Sequence, residues 1–162
     1  MSRLGLQLDQ TQRFTSFTLP ITPTAADIDE LGHVNNVVWV RWIQDVATAH
    51  WSVAATAEQV VAYIWVVVRH EIDYLGNVGA GEAVTARTWI SDPPKGARFD
   101  RNVEFTDGTG KIVVRAKTTW VLIDRASGRL ARVRADIASR FLSPPPQSNS
   151  PSPAIPIKSR LP

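Results

Sequence analysis

Between Asn36 and Val53, the apolar residues Val38, Trp39, Trp42, Ile43, Val46, Ala49 and Val53 recur at steps that fit one face of an α-helix. The spacing predicts a helix from Asn36 to about Ala55. Asn35 or Asn36 is its expected N-cap, because a side-chain oxygen there satisfies an orphan N–H of the first turn. Upstream, "RFTSFTLPI" (Arg13 to Ile21) has the β-branched and aromatic character of a strand. Downstream, "AYIWVVVRHEIDYL" begins with an unbroken apolar run, which predicts a strand buried on both faces. "AVTARTWIS", "ARFDRNVEFT" and "KIVVRAKTTWVLID" follow as further strands, set apart by the turn signals "GNVGAGE", "DPPKG" and "DGTG". Beyond the turn "RASG", "ADIASRFL" reads as a short helix. One amphipathic helix and a meander of strands predict an α+β domain with the helix packed on one face of an antiparallel sheet.

That pattern occupies residues 12–142. Residues 143–162 are dominated by proline and serine and offer almost nothing to a core, so a disordered tail is expected there. A chain of 162 residues with 44% hydrophobic and 20% charged side chains has the size and balance of one globular domain. No apolar run reaches the about 18 residues of a membrane helix, so no membrane partner is expected. The N-terminal residues lack a signal-peptide h-region, and a cytoplasmic location is expected. The absence of cysteine excludes disulfides, thiolate metal sites and cysteine nucleophiles. The net charge of +3 is spread along the chain without a helix-turn-helix, finger or RNP pattern, so no nucleic-acid partner is expected.

The densest chemistry lies in "DIDELGHVNN", Asp27 to Asn36, at the mouth of the predicted helix. A helix N-terminus offers free N–H groups and the positive end of a dipole, which suits a developing oxyanion. Gly32 lets a substrate approach the backbone closely. Asp29, ionised in solution at neutral pH, is suited to act as general base on water or as a nucleophile. An aspartate in front of a helix more often serves only as a turn or cap residue, a reading open to Asp27 and Asp29 alike. "RHEIDY" holds a His-Glu pair without the His-Glu-x-x-His spacing of a zinc site, and His33, His50 and His70 are scattered. No metal is expected.

The loop, the Trp-rich helix behind it and the following strands together resemble the hotdog-fold acyl-CoA thioesterases, and within them the 4-hydroxybenzoyl-CoA thioesterase family. The likeness runs from about Phe14 to Phe141 and includes "DGTGKIVVRAKTTWVLIDRASGRLARV". It implies an antiparallel sheet wrapped around one long central helix. It also implies a homodimer joined edge to edge, a further pairing into homotetramers, and active sites at the dimer interface. The family's catalytic carboxylate falls on Asp29, its glycine on Gly32, its histidine on His33 and its asparagine pair on Asn35 and Asn36. His33 is a candidate to orient the carboxylate or donate to the thioester. Asn35, Asn36 and Val37 are candidates to shape the substrate site, and Trp39 and Trp65 to line an acyl or aromatic pocket. Some relatives carry a glutamate in or after the helix where this chain has Gln44 and Asp45, which leaves Asp29 as the one strong carboxylate. In "PPKGARF", Lys95 and Arg98 are candidates to contact the phosphates of coenzyme A.

The implied reaction is hydrolysis of an acyl-CoA or acyl-carrier-protein thioester to a carboxylic acid and a thiol. No separate cofactor is needed, because coenzyme A is part of the substrate. A non-catalytic acyl-CoA-binding module and a hotdog hydratase or dehydratase are the alternatives. The hydratases resemble Asp-x-Asn-Pro-x-His, whereas Asp29 to His33 is one residue shorter and lacks the Asn-Pro.

Overall fold

The computed structural model describes residues 15–142. The expected tail at residues 143–162 and the first residues of the expected N-terminal strand lie outside the described residues. Strand β1 (Ser16–Ile21) leads through a 3-10 turn at Ala25–Asp27 to helix α1 (Asn36–Ala54) and the short helix α2 (Ala57–Ala62). Strands β2 (Tyr63–Tyr74), β3 (Val84–Trp89), β4 (Arg98–Thr106) and β5 (Ile112–Asp124) follow, and α3 (Ala135–Ala138) comes last. The strands form one sheet in the order β1-β3-β4-β5-β2, antiparallel at every pairing. Helix α1 packs on one face of it, with Val38, Trp39, Trp42, Ile43 and Val46 against Val84, Val103, Phe105 and Val114. No helix among the described residues is long and apolar enough to cross a membrane.

Two expectations change. The buried stripe of α1 continues through Ala47, His50, Trp51 and Ala54, whereas Ala49 is half-buried and Val53 exposed. At 3.6 residues per turn the contact face drifts away from a strict three-or-four step, so the last two apolar positions turn outward. The second change concerns β2, which is not buried on both faces. It is an edge strand covered on one side only, and Ile64, Val66 and Val68 on its outer face are 39%, 44% and 51% exposed. The helix α2, capped by Thr56 and Gln59 in a reciprocal capping box, has no counterpart in the predicted elements.

Candidate active site

The loop before α1 is held by its own polar side chains. Asp27 is 7% exposed and accepts hydrogen bonds from the Thr24 backbone N–H and hydroxyl, each at 2.9 Å. It also pairs with Arg41 from the first turns of α1 at 2.6 Å. The Thr24 backbone N–H, followed by the Arg41 guanidinium, holds the Asp27 carboxyl below the usual carboxylate range. Asp27 is therefore a structural anchor, as its turn position suggested. Asp27→Asn should cost about 1–2 kcal/mol of stability, the scale of a lost cap and charge-assisted bond. An Asp with a depressed folded pKa stabilises above the usual carboxyl range and loses that contribution as pH falls through the lowered value. Urea unfolding should accordingly show the wild-type advantage over Asp27→Asn at pH 7, shrinking as the carboxyl titrates.

Asp29 sits two residues on, half-buried, at the start of a tight reversal. Its backbone N–H donates to the His33 carbonyl at 2.9 Å, and its carbonyl accepts from the Gly32 N–H at 3.0 Å. Its Oδ1 accepts from the backbone N–H of Leu31 at 2.9 Å and more loosely from that of His33 at 3.4 Å. Oδ2 has no partner among the described residues. Gly32 turns the chain with φ 76°, a left-handed conformation that favours glycine. His33 points its side chain to the surface, while its backbone closes the reversal.

Asn35 caps α1, its Oδ1 accepting from Val37 N–H at 2.9 Å. The N–H of Asn36, the first helical residue, has no acceptor among the described residues, so a donor remains open at the positive end of the helix. Val37 is 74% exposed beside it. Val37, the open helix N-terminus and Tyr74, whose hydroxyl donates to the Asn36 carbonyl at 3.4 Å, form one patch at the end of the loop that carries Asp29.

A residue not singled out in the sequence fixes this patch to the sheet. Asn77, in the turn after β2, accepts from Val34 N–H at 3.0 Å and donates to the Val34 carbonyl at 3.2 Å. Asn in a glycine-rich turn reads as turn chemistry alone; only the fold shows that its amide reaches across 43 positions of sequence.

The other candidates lie elsewhere. Trp39 is wholly buried, edge-on to Trp42 and Phe105 with ring centroids 5.1 Å away in both cases, and touches no solvent in the single chain. Gln44 and Asp45 are exposed on α1. Lys95 and Arg98 are exposed and face each other across a hairpin turn at Gly96 and Ala97. Arg98 is in register with Val121 of β5, whereas the segment leaving β2 toward the Asp29 loop bonds to Val113. Those positions are roughly 26 Å apart at about 3.3 Å per strand residue. Within one chain, the candidate phosphate contacts and Asp29 stand at opposite ends of the sheet.

At the end away from Asp29 there is a cavity of about 320 Å³. It lies between the C-terminal half of α1 and the sheet, lined by Trp51, Trp65, Phe99, Phe141 and the buried Arg101, among others. Trp65 therefore lines a pocket, and Trp39 does not. Arg101 donates from Nη1 to His50 Nδ1 and to Thr88 Oγ1, each at 2.9 Å. Since a guanidinium only donates, His50 Nδ1 must carry the lone pair.

The thioesterase-like superfamily model matches residues 23–141, from the loop before Asp27 to the last turn of the chain's core. The chain belongs to the thioesterase-like superfamily. No curated protein matches it by sequence. Among solved structures, this thioesterase-like chain is similar to a 4-hydroxybenzoyl-CoA thioesterase, an aspartate-to-asparagine mutant complexed with 4-hydroxybenzoyl-CoA. The identity is 17%, the TM-score 0.69, and the likeness covers 78% of this chain and 98% of the other. The 1,4-dihydroxy-2-naphthoyl-CoA thioesterase of Synechocystis is 17% identical with a TM-score of 0.67, over 78% of this chain and 95% of that one. A Staphylococcus aureus protein solved in complex with CoA is 18% identical with a TM-score of 0.68, over 77% and 80% of the two chains. At these identities the likeness bears on the fold, which is the hotdog fold.

Proposed function

We propose that the chain is an acyl-CoA thioesterase, with Asp29 as its catalytic carboxylate, working as a homodimer. The observation that carries this is Asp29 in the loop that leads into an open helix N-terminus, in a chain of the thioesterase-like superfamily. The backbone N–H groups of Leu31 and His33 fix one carboxylate oxygen, and the other has no partner among the described residues. A thioester carbonyl set against the N-terminus of α1 would be polarised by the open N–H of Asn36 and the helix dipole. Asp29 then either takes a proton from the attacking water or attacks the carbonyl itself, forming an anhydride that water opens; both routes expel the thiolate. That one structural relative binds CoA and another holds an acyl-CoA with an aspartate replaced supports this substrate class.

What supports the dimer is the position of β2 at the sheet edge. An edge strand of 12 residues, with the exposed apolar residues Ile64, Val66 and Val68 in its first half, is an open template for pairing with another chain. In a two-fold dimer the same strand meets itself antiparallel. The Tyr74 end of one β2, which meets the start of α1, then lies next to the Tyr63 end of the partner's, beside the cavity and the Lys95–Arg98 hairpin. The dimer thus reunites elements that a single chain holds apart, and coenzyme A would run from Asp29 of one protomer toward the basic hairpin of the other.

Replacing Lys95 and Arg98 together by alanine should raise KM for an acyl-CoA several-fold, at about 1 kcal/mol or less per exposed contact and less in high salt. A short thioester without the nucleotide should be little affected, because only binding to the remote phosphates is removed. Equal slowing of both substrates would place coenzyme A elsewhere. The activity itself is tested by thiol release from acyl-CoA thioesters.

A further inference from the structure

The cavity at the C-terminal half of α1 contains a charge that the described chain does not neutralise. Arg101 is 6% exposed, and among the described residues no carboxylate lies within ion-pair distance of it. Its hydrogen bonds, both from Nη1, go to a neutral hydroxyl and to the lone pair of His50; Nη2 and Nε have no acceptor among the described residues. Phe141 offers its ring face at 5.5 Å, a modest compensation. An unpaired charge taken out of water this far costs several kcal/mol unless an opposite charge or further hydrogen bonds answer it.

The residue is also out of keeping with its strand. Along β4 the inward positions are Phe99, Arg101, Val103 and Phe105, so an arginine occupies a place that alternation reserves for an apolar side chain. Beside it the wall is aromatic: Trp51 and Trp65 meet edge to face at 5.8 Å, and Phe99 and Phe141 complete the ring cluster. A volume of about 320 Å³ is at the small end of ligand-sized pockets.

We infer that this cavity is a binding site for a carboxylate carried on an aromatic or bulky apolar body, with Arg101 as the residue that recognises the carboxylate. The guanidinium fork matches a carboxylate bidentately, using the two nitrogens that have no acceptor among the described residues. A monoanion is neutralised by the buried Arg101 alone; the other arginine of the lining, Arg125, is exposed and donates from Nε to the Tyr63 carbonyl. The inference deepens the thioesterase reading and rests on it only for the source of the ligand. That source is either a second carboxylate at the far end of the acyl group or the acid released by hydrolysis.

Calorimetric titration of the full chain with 2-naphthoate and with 2-naphthamide at pH 7 tests the site directly. The acid should bind at least tenfold tighter than the amide, and Arg101→Gln should erase that preference. Equal affinities in the wild type, or a preference that survives in Arg101→Gln, would overturn the inference. Should Arg101→Gln fail to fold by circular dichroism, Thr48→Trp, a substitution at an exposed lining position, replaces it. That variant should lose naphthoate binding, and unchanged binding would count against the site.

Turnover of terephthaloyl-CoA against benzoyl-CoA then separates the sources. A lower KM for the carboxylated thioester, lost in Arg101→Gln, assigns the site to the acyl group. Equal turnover with inhibition by naphthoate assigns it to the released acid. A protein that binds naphthoate but hydrolyses no thioester would retain the site and overturn the thioesterase reading; hydrolysis without acid preference would do the reverse.

Discussion

Replacing Asp29 by asparagine should lower kcat for acyl-CoA hydrolysis by at least about 100-fold while the domain stays folded. General-base catalysis by a positioned side chain contributes typically 10² to 10⁴, and a nucleophilic role would make the loss larger. The amide oxygen of asparagine can still accept from the Leu31 N–H, so the reversal that ends at His33 keeps its bond. What disappears is the second oxygen, which has no partner among the described residues, and with it the negative charge in the loop before α1. The change therefore separates chemistry from structure. A folded Asp29→Asn protein with nearly wild-type thiol release would show that Asp29 is, like Asp27, a turn residue.

The second large effect should come from the sheet edge. Val66→Lys together with Val68→Lys places two charges on the outer face of β2, where both positions are already about half exposed in the single chain. The protomer fold should tolerate that. A dimer should not, because its two-fold axis doubles each change and charged edge strands, lysines above all, are a general device against strand pairing. Sedimentation should report a monomer, and thiol release should fall at least tenfold, since Asp29 then loses the partner's cavity and basic hairpin. A monomeric double variant with full activity would contradict a site built across two chains.

The central helix was legible because its apolar period and the asparagine pair offered as its cap agree, and of the two the structure makes Asn35 the cap and Asn36 the first helical residue. The strands were legible from β-branched composition and turn residues, and each appears within a few residues of its expected bounds. What composition does not carry is the neighbour. "YIWVVV" has the apolar density of a central strand, yet the topology puts it at the edge, where a second protomer rather than a second layer is the natural cover. The same limit applies to the site. The roles of Asp27 and Asn35 follow from local bonds and were readable. Asn77 and the partners of Arg101 act across long sequence separations, and a single sequence does not display them. Arg101 did leave one trace, the break in the inward alternation of β4.

Thiol release by the wild-type protein from a panel of aliphatic and aromatic acyl-CoA thioesters, with the acid product quantified beside it, tests the account most directly. Free thiol and carboxylic acid should appear one for one, at a rate proportional to protein and suppressed by Asp29→Asn. Acyl-CoA that binds and is recovered intact across the panel would contradict the account, and would make the chain a binding module on a thioesterase fold.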